Sequence, residues 1–419
     1  MCLSKRCSKS VLFLLALTPQ AAPSLAANAK INPNDLALHQ SLLTLDTHLD
    51  TPASLDRPGW SIEQRHSYNE DYSQVDLPRM VEGGLDGGFW AIYTPQGPLD
   101  QDGLERARDF AVMRGVTIRE MVARDPAHFA LATKAGEAAP IAASGKRIVY
   151  MSMENAYPLG EDVSMLQLFH AMGVRLLGFA HFTNNQFADS ATDPAGAKWN
   201  GLSPLGEKLV AEANRLGVVL DASHSSDAVF DAFLRLSKAP FILSHSGCKA
   251  IYNHPRNLDD ERLKKLAAAG GVIQINSFGS YLRAIKPNLA RDAAMRSLFG
   301  AQEEAVMTAD EYAAFLAKRH EIDARYPPDS PSFDDFMAHL LHALMLVGPD
   351  HVGIGLDWDG GGGVTGMEDV SSIPRITVAL RSHGYGESDL RKIWGGNVLR
   401  VLAAATAEAE REAQQNIKM

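Results

Sequence analysis

A histidine and an aspartate two residues apart follow the first strongly β-prone stretch of the chain. His48 and Asp50 stand in residues 43–52, Leu-Thr-Leu-Asp-Thr-His-Leu-Asp-Thr-Pro, where Pro52 prevents further regular strand pairing. Side chains at positions i and i+2 of an extended segment point to the same side. The imidazole and the carboxylate can therefore converge on one point and bind a divalent metal of the zinc type. For this motif taken alone, a buried His–Asp pair is the better interpretation.

Residues with metal-ligand or acid–base chemistry also follow other apolar stretches along the chain. They are Glu154 with Asn155, then His181, His224 and His245, and finally Asp357 with Asp359. If those stretches are parallel strands of one barrel, all of these residues meet at its C-terminal mouth, where active sites of this architecture lie. Buried imidazoles and carboxylates that converge without a cation are energetically costly. The pattern therefore predicts a metal site.

Eight apolar, strand-like stretches alternate with helical patterns. The predicted strands are residues 42–45, 88–93, 147–152, 174–179, 218–221, 241–243, 271–275 and 352–356. Several are continuously apolar, as strands covered on both faces are. Eight successive β-then-α units predict an α/β fold, a closed (β/α)₈ barrel of the TIM type. A doubly wound open sheet is the alternative, but no Gly-x-Gly-x-x-Gly follows the first strand, which disfavours dinucleotide binding.

The predicted helices fill the gaps between these strands. One has both ends marked, with Ser203 as N-cap, Pro204 at the first helical position and Gly217 at its end. The others span residues 103–124, 162–172, 227–236, 259–269, 333–347 and 388–405, the last with Ser388 as N-cap. Residues 283–331 are predicted to be an insertion before the last strand, helical at 309–325, on the rim of the barrel. This insertion is either a lid or interface element, or a decoration of the fold that has no function of its own.

The two ends and the composition restrict cellular location and partners. Residues 1–29 are predicted to be a signal peptide, because Lys5, Arg6 and Lys9 precede an apolar segment too short to span a bilayer. The mature domain is then 30–405, periplasmic or secreted and without a membrane anchor, and 406–419 is a polar C-terminal tail. A net charge of −10 argues against a nucleic-acid partner. Only Cys248 would remain, so no internal disulfide is expected.

The number of candidate ligands suggests two metal ions. His48, Asp50 and Glu154 would bind one ion, and His224 and His245 the other, with the two oxygens of Glu154 bridging them. Two such ions can share a hydroxide and stabilise both sides of a hydrolytic transition state. Asp357 is then free to orient the hydroxide and take its proton, and His181 to hydrogen-bond the oxyanion.

Taken together, these motifs resemble the membrane (renal) dipeptidase family of zinc peptidases. The resemblance is carried by Asp-Thr-His-Leu-Asp-Thr-Pro (46–52), Met-Glu-Asn-Ala (153–156), Ala-His-Phe-Thr-x-Asn (180–185), Leu-Asp-Ala-Ser-His (220–224), Ser-His-Ser (244–246) with Pro-Arg-Asn-Leu-Asp-Asp (255–260), and Gly-Ile-Gly-Leu-Asp-Trp-Asp-Gly (353–360). It covers about residues 42–402 except the insertion.

The resemblance implies a barrel that binds two Zn²⁺ per chain and hydrolyses dipeptides. It assigns the same two ligand sets, the substrate-polarising role to His181, the acid/base role to Asp357, and binding of the dipeptide's free carboxylate to Arg256. A planar guanidinium suits that bidentate task. The family also implies tolerance of a C-terminal D-residue, cleavage of carbapenem-type β-lactams in some members, and homodimers.

Other interpretations remain open from the sequence. The same metals could serve another amidohydrolase-type reaction, such as lactam or lactone hydrolysis, or the chain could be a non-catalytic periplasmic binding protein. Arg256 could instead form a surface ion pair with Asp259 or Asp260. Asn276 is a candidate substrate contact at the end of the seventh strand, and Gly360–Gly363 could cradle an anion or form a flexible loop. His339 and His342 are expected to be ordinary helix residues and Cys248 a packed one.

Overall fold

The fold is a ring of eight parallel strands. The computed structural model describes residues 31–300 and 307–418, and the predicted signal peptide lies outside them. The strands around the ring, in order, are β1 (Leu45–Leu49), β2 (Gly87–Ile92), β4 (Arg147–Met153), β5 (Val174–Gly178), β6 (Val219–Asp221), β7 (Ile242–Cys248), β9 (Val272–Ile275) and β10 (Val352–Ile354). Two short strands, β3 (Phe129–Leu131) and β8 (Asn257–Leu258), pair with β4 and β7 off this path.

The ring closes between its first and last strands. The backbone N–H of Asp50 donates to the carbonyl of Trp358 at 2.9 Å, next to a parallel bridge between Leu49 and Trp358. The predicted closed (β/α)₈ barrel is therefore confirmed, and the doubly wound open sheet is excluded.

All eight predicted strands are present, but two of them extend into the candidate site. β1 was expected at residues 42–45 and lies at Leu45–Leu49, so His48 lies within it. His245 likewise lies within β7 rather than after it. The pairing register is irregular inside both strands. Such irregularities re-aim a side chain, and here each one lies at a histidine of the candidate site.

The helices surround the strands. They are α1 (Pro33–Gln40), α2 (Tyr68–Asp71), α3 (Leu77–Gly83), α4 (Gln101–Arg124), α5 (Ala138–Ala143), α6 (Met165–Met172), α7 (Pro204–Leu216), α8 (Asp227–Leu236), α9 (Asp260–Ala268), α10 (Gly279–Leu282), α11 (Leu289–Gly300), α12 (Ala309–Arg325), α13 (Phe333–Val347), α14 (Pro374–Ser382), α15 (Glu387–Arg391) and α16 (Asn397–Lys418). As predicted, the Ser203 side chain caps α7 by accepting from the N–H of Gly206, and Gly217 ends the helix at φ 70°.

The last predicted helix differs from the structure in both its start and its continuity. Gly386, not Ser388, is the N-cap of α15, and a π-helical turn (Lys392–Gly396) separates α15 from α16. Gly395 in that turn packs against the carbonyl of Leu43, where a Cβ would overlap. The segment predicted as a polar tail continues as part of α16. Among the described residues, no helix is long and apolar enough to cross a membrane.

The lower half of the barrel is an apolar core that α16 covers. Residues near the amino ends of the strands form one cluster with side chains of this helix: Leu45, Phe89, Ile148, Leu176, Val219, Ile242 and Val272 with Val398, Val401 and Leu402. A larger apolar cluster surrounds the strands and packs them against the outer helices. With the lower end filled, the polar residues at the carboxyl ends of the strands face the open mouth.

The described part of the insertion contains the helices α11 and α12, as predicted, and α12 has the predicted bounds. It packs against the loop that follows β1. The Tyr72 hydroxyl donates to Asp323 at 2.5 Å, and the Arg319 guanidinium lies 3.5 Å from the centre of the Tyr72 ring. These contacts place the insertion on the rim of the mouth.

Candidate active site

The five predicted metal ligands converge at the carboxyl ends of the strands. Glu154 lies at their centre, with its Oε1 3.4 Å from Nε2 of His48, 3.4 Å from Nε2 of His224 and 3.7 Å from Nε2 of His245. Asp50 Oδ2 lies 3.3 Å from His48 Nε2. Four different strands thus bring three imidazoles and two carboxylates to one point.

The backbone at this point adopts conformations that side chains rarely tolerate. His224, Asp357 and Asp359 have φ angles of 63°, 65° and 66°. Each such left-handed residue costs on the order of 1–3 kcal/mol and persists only where the surrounding structure imposes it. Two of these residues are predicted site residues, and the third lines the same cavity.

Unsatisfied buried atoms show that this cluster fits a metal. His48 Nε2, Asp50 Oδ1 and His224 Nδ1 are buried without a hydrogen-bond partner. Ligand atoms lie within 4.8 Å of one another in three overlapping groups: His48, Glu154 and His245; Glu154, His181 and His224; and His48, Asp50 and Asp357. Buried polar atoms are normally paired, so His48 Nε2 and Asp50 Oδ1, which face the cluster without partners, fit a bound cation.

A hydrogen-bond relay fixes the tautomer of His245. The Ser244 hydroxyl donates to the Asp221 carboxylate, and the same oxygen lies 2.8 Å from His245 Nδ1. Because its hydrogen is used, Ser244 can only accept from Nδ1–H. The lone pair of His245 is then on Nε2, which faces Glu154. This arrangement is typical of histidines that bind metals.

Burial and neighbouring charges shift the pKa values of the histidines in the cluster. Burial, followed by the positive charge of Arg256 or His48, holds the pKa values of His224 and His245 well below the usual value. Both are therefore neutral, the form that binds metal. Burial also tends to lower the pKa of His48, but the carboxylates of Asp50 and Glu154 outweigh it and raise that pKa well above normal. The two buried carboxylates thus favour positive charge at this point, which a bound cation would supply.

His181 belongs to the same cluster. Its Nε2 lies 3.4 Å from Glu154 Oε1, as close as that of His48 or His224. Its ring centre is 4.2 Å from that of His224, and it lines the cavity. Distance alone therefore does not separate His181 from the metal ligands.

Arg256 is buried behind His245. It is 3% exposed, its Nη2 donates to the carbonyl of His245 at 2.9 Å, and its guanidinium lies 5.2 Å from the centre of the Tyr281 ring. Among the described residues, no carboxylate forms an ion pair with it. Asp259 pairs with Arg262, and Asp260 with His342. The surface ion pair considered for Arg256 is therefore wrong.

The two aspartates after β10 differ in their surroundings. Asp357 faces the cavity, and the Asn276 amide lies 3.5 Å from its Oδ2, so Asn276 faces Asp357. Asp359 accepts from the Thr51 hydroxyl at 2.7 Å and from the backbone N–H of Gln74 at 2.6 Å. Asp359 is thus held by protein groups, whereas Asp357 is available for chemistry.

The glycine run after Asp359 is packed rather than open. A Cβ at Gly360 would overlap the carboxylates of Asp50 and Asp357, and one at Gly361 would overlap Phe278. The loop is therefore neither flexible nor an anion cradle at these positions, because carboxylates already surround it.

The sequence argument missed the aromatic wall of the cavity. The cavity has a volume of about 260 Å³ and is lined by Tyr93, Phe182, Phe278 and Tyr281 beside the ionisable residues. This volume suits a ligand smaller than a typical drug molecule. Phe182 and Phe278 lie close behind predicted site residues in the chain, but a single aromatic residue at a strand end is indistinguishable from a core residue.

His339 and Cys248, which the sequence analysis interprets as structural residues, are packed in the protein interior. His339 is buried, and its Nδ1 accepts from the backbone N–H of Cys248 at 2.9 Å. Burial raises the pKa of the Cys248 thiol to about 12, which removes it as a nucleophile at neutral pH.

Known proteins resemble this chain over most of its length. Residues 34–416 match the family described as membrane dipeptidase (peptidase family M19). Dipeptidase tcpJ of Claviceps purpurea is 30% identical over 350 residues, 82% of this chain and 72% of that protein. Dipeptidase aclJ of Aspergillus oryzae is 29% identical over 412 residues, 94% of this chain and 85% of that protein.

Two solved structures are similar over nearly their whole length. The probable dipeptidase PvdM from Pseudomonas aeruginosa has a TM-score of 0.75 and 29% identity, covering 90% of this chain and 98% of that one. A metallo peptidase from Rhodobacter sphaeroides, liganded with a phosphinate mimic of the dipeptide L-Ala-D-Ala, has a TM-score of 0.69 and 28% identity, covering 87% and 99%.

Proposed function

The chain belongs to the membrane dipeptidase family, peptidase family M19, and we propose that it is a zinc-dependent dipeptidase. Its substrates are small dipeptides, including those with a C-terminal D-residue. One observation carries the proposal: a buried guanidinium without an ion-pair partner, that of Arg256, adjoins a cluster of imidazoles and carboxylates that fits metal ions. The first is what a substrate carboxylate needs, and the second is what hydrolysis of an amide needs.

Two Zn²⁺ ions per chain are the proposed cofactors. His48, Asp50 and Glu154 would hold one ion, and Glu154, His224 and His245 the other. When bound, such ions lower the pKa of a water molecule and polarise a carbonyl group. Glu154 supports this pairing because its Oε1 already lies within 3.7 Å of a nitrogen of each of the three ligand histidines.

Asp357 is the proposed general base and acid. It takes a proton from the attacking water and delivers it to the amine nitrogen as the C–N bond breaks. Its pKa lies well above normal, first because it is buried and also because Asp50 and Glu154 add negative charge nearby. A carboxyl group with a raised pKa is suited to moving protons near neutral pH. Asn276 orients this carboxylate.

His181 and Arg256 hold the substrate at its two ends. His181 donates a hydrogen bond to the scissile carbonyl oxygen as negative charge develops there. Arg256 binds the free carboxylate one residue beyond the scissile bond, and this geometry restricts the enzyme to dipeptides. Lactam or lactone hydrolysis is the alternative, and it would use Arg256 only if the ring substrate also carried a carboxylate.

The predicted signal peptide supports a periplasmic or secreted location, which we include in the proposal. The structure of the Rhodobacter sphaeroides relative with a mimic of L-Ala-D-Ala supports acceptance of a C-terminal D-residue. We also propose a homodimer, on the family resemblance alone.

The test is hydrolysis of L-Ala-L-Ala, L-Ala-D-Ala, the amide of L-Ala-L-Ala and a tripeptide by the purified protein. Activity is measured as isolated, after chelation and after zinc is restored. We expect activity on both dipeptides, little on the amide and tripeptide, and recovery with about two zinc ions per chain. A fully metallated protein that cleaves no dipeptide would contradict the proposed function.

A further inference from the structure

Tyr93 directly follows the second strand of the ring and lines the cavity. Phe89 and Ala91 of β2 lie on one side of the strand, and Tyr93 follows at the same spacing of two residues. Phe89 packs in the lower core of the barrel. Residues two apart in a strand share a face, so Tyr93 points into the barrel at the level of the mouth. It lines the cavity together with Glu154 and His181.

The Tyr93 hydroxyl has no partner in the protein. Among residues 31–300 and 307–418, no group hydrogen-bonds to it, although the ring is half-buried. Buried tyrosines outside the cavity are satisfied, since Tyr150 donates to the carbonyl of Lys134 at 2.9 Å and Tyr157 to that of Pro98 at 2.7 Å. Phenols that are buried normally find a partner. The Tyr93 hydroxyl is thus free to donate to a ligand in the cavity that it lines.

The position of Tyr93 relates it to His181. The two rings meet edge to face, with centres 5.2 Å apart and planes at 64°. An unperturbed phenol has a pKa near 10, so it is protonated and donates at neutral pH. Two donors on neighbouring rings can therefore point at one substrate oxygen.

We propose that Tyr93 is a catalytic residue whose phenol donates a second hydrogen bond, beside His181, to the scissile carbonyl oxygen. Water adds to the carbonyl carbon, the C=O double bond becomes single, and the negative charge forms on the oxygen that both donors face. The water proton goes to Asp357 and then to the amine nitrogen as the C–N bond breaks, while Tyr93 keeps its own proton. This inference rests on the proposed dipeptidase function.

The test is Tyr93→Phe, which removes one oxygen atom and leaves the ring in place. Losing one donor to a developing oxyanion typically lowers kcat by about 10²-fold. We expect kcat and kcat/KM to fall together by about this factor, with KM and metal content unchanged. A phosphinate dipeptide, which mimics the tetrahedral intermediate, should lose affinity by the same factor, because it reports transition-state binding.

Tyr157→Phe is the matched control, because it removes a hydroxyl whose partner is the protein backbone outside the cavity. It should leave kcat and phosphinate affinity as in the wild type. Wild-type kcat/KM and phosphinate affinity in Tyr93→Phe would overturn the inference, as would an activity loss that is fully explained by lost metal. An inactive wild-type protein is a separate outcome, which overturns the proposed function and the inference with it.

Discussion

Replacing Arg256 with methionine tests how this protein limits the length of its substrate. A guanidinium has five N–H donors, and in the structure Nη2 donates to the carbonyl of His245 at 2.9 Å and the Tyr281 side chain is a second hydrogen-bond partner. Its Nε is buried without a partner. A substrate carboxylate can therefore take two hydrogen bonds from the unoccupied donors, which is the bidentate arrangement that arginine favours.

The expected loss follows from that count. Hydrogen bonds to charged groups contribute about 1.5–3 kcal/mol each, so two contribute roughly 3–6 kcal/mol. We expect a contribution near the lower value, about 3 kcal/mol, because the substrate carboxylate loses its hydrogen bonds to water when it binds. At 1.36 kcal/mol per factor of ten, about 3 kcal/mol predicts a fall in kcat/KM of roughly 10²-fold.

The assay compares kcat/KM for L-Ala-L-Ala and its C-terminal amide in wild type, Arg256→Met and Arg256→Lys. We expect the roughly hundredfold loss on the acid in Arg256→Met, an intermediate loss in Arg256→Lys, and little change on the amide. Metal analysis checks that His245, whose carbonyl Arg256 contacts, still holds its ion. The reasoning is refuted if wild type cleaves the amide as well as the acid, or if Arg256→Met loses equally on both substrates.

Four further outcomes test other parts of the structure. Asp357→Asn should lower kcat by about 10²–10⁴-fold while both metals stay bound, and retained activity would remove its acid–base role. Glu154→Gln should reduce the metal content measured by atomic emission below one ion per chain, because both ligand groups share this carboxylate. Burial lowers the pKa of His39 from 6.5 to about 4, so the unfolded chain binds the proton first as pH falls. The free energy of unfolding should then fall between pH 6.5 and 4 by about 3 kcal/mol more in wild type than in His39→Gln, in denaturant titrations at each pH. Cys248 should resist iodoacetamide in the native protein and react only after unfolding, as followed by mass spectrometry.

Local signals in the sequence were enough to identify most elements. The Ser203 cap, the Gly217 stop and the bounds of α12 depend on residues within a few positions of one another, so no tertiary contact is needed to read them. The alternation of eight strands with helices likewise allows few folds. The C-terminal end of β1 could not be predicted in this way, because the polar site residues within the strand interrupt its apolar pattern before the strand ends.

The candidate site was predictable for a related reason. His48, Glu154, His224 and His245 come at or near the ends of apolar stretches, and the barrel topology brings all such ends together. Their residue types identify metal chemistry without any knowledge of distance. The hydrogen-bond partners of these residues could not be predicted from the sequence. The Asp221–Ser244–His245 relay, for example, forms because two neighbouring strands place these side chains within hydrogen-bond distance.

The sequence by itself therefore determined the architecture and the ionisable residues that meet at its mouth. Only the tertiary structure decided which of them are free to act. Arg256 is buried rather than paired at the surface, and Tyr93 has no hydrogen-bond partner for its hydroxyl within residues 31–300 and 307–418. Burial holds His39 neutral, and the hydroxyl of Thr377, 338 residues away, lies 2.7 Å from its Nδ1. Burial and hydrogen-bond pairing arise from contacts between distant segments, and no local pattern of residues encodes them.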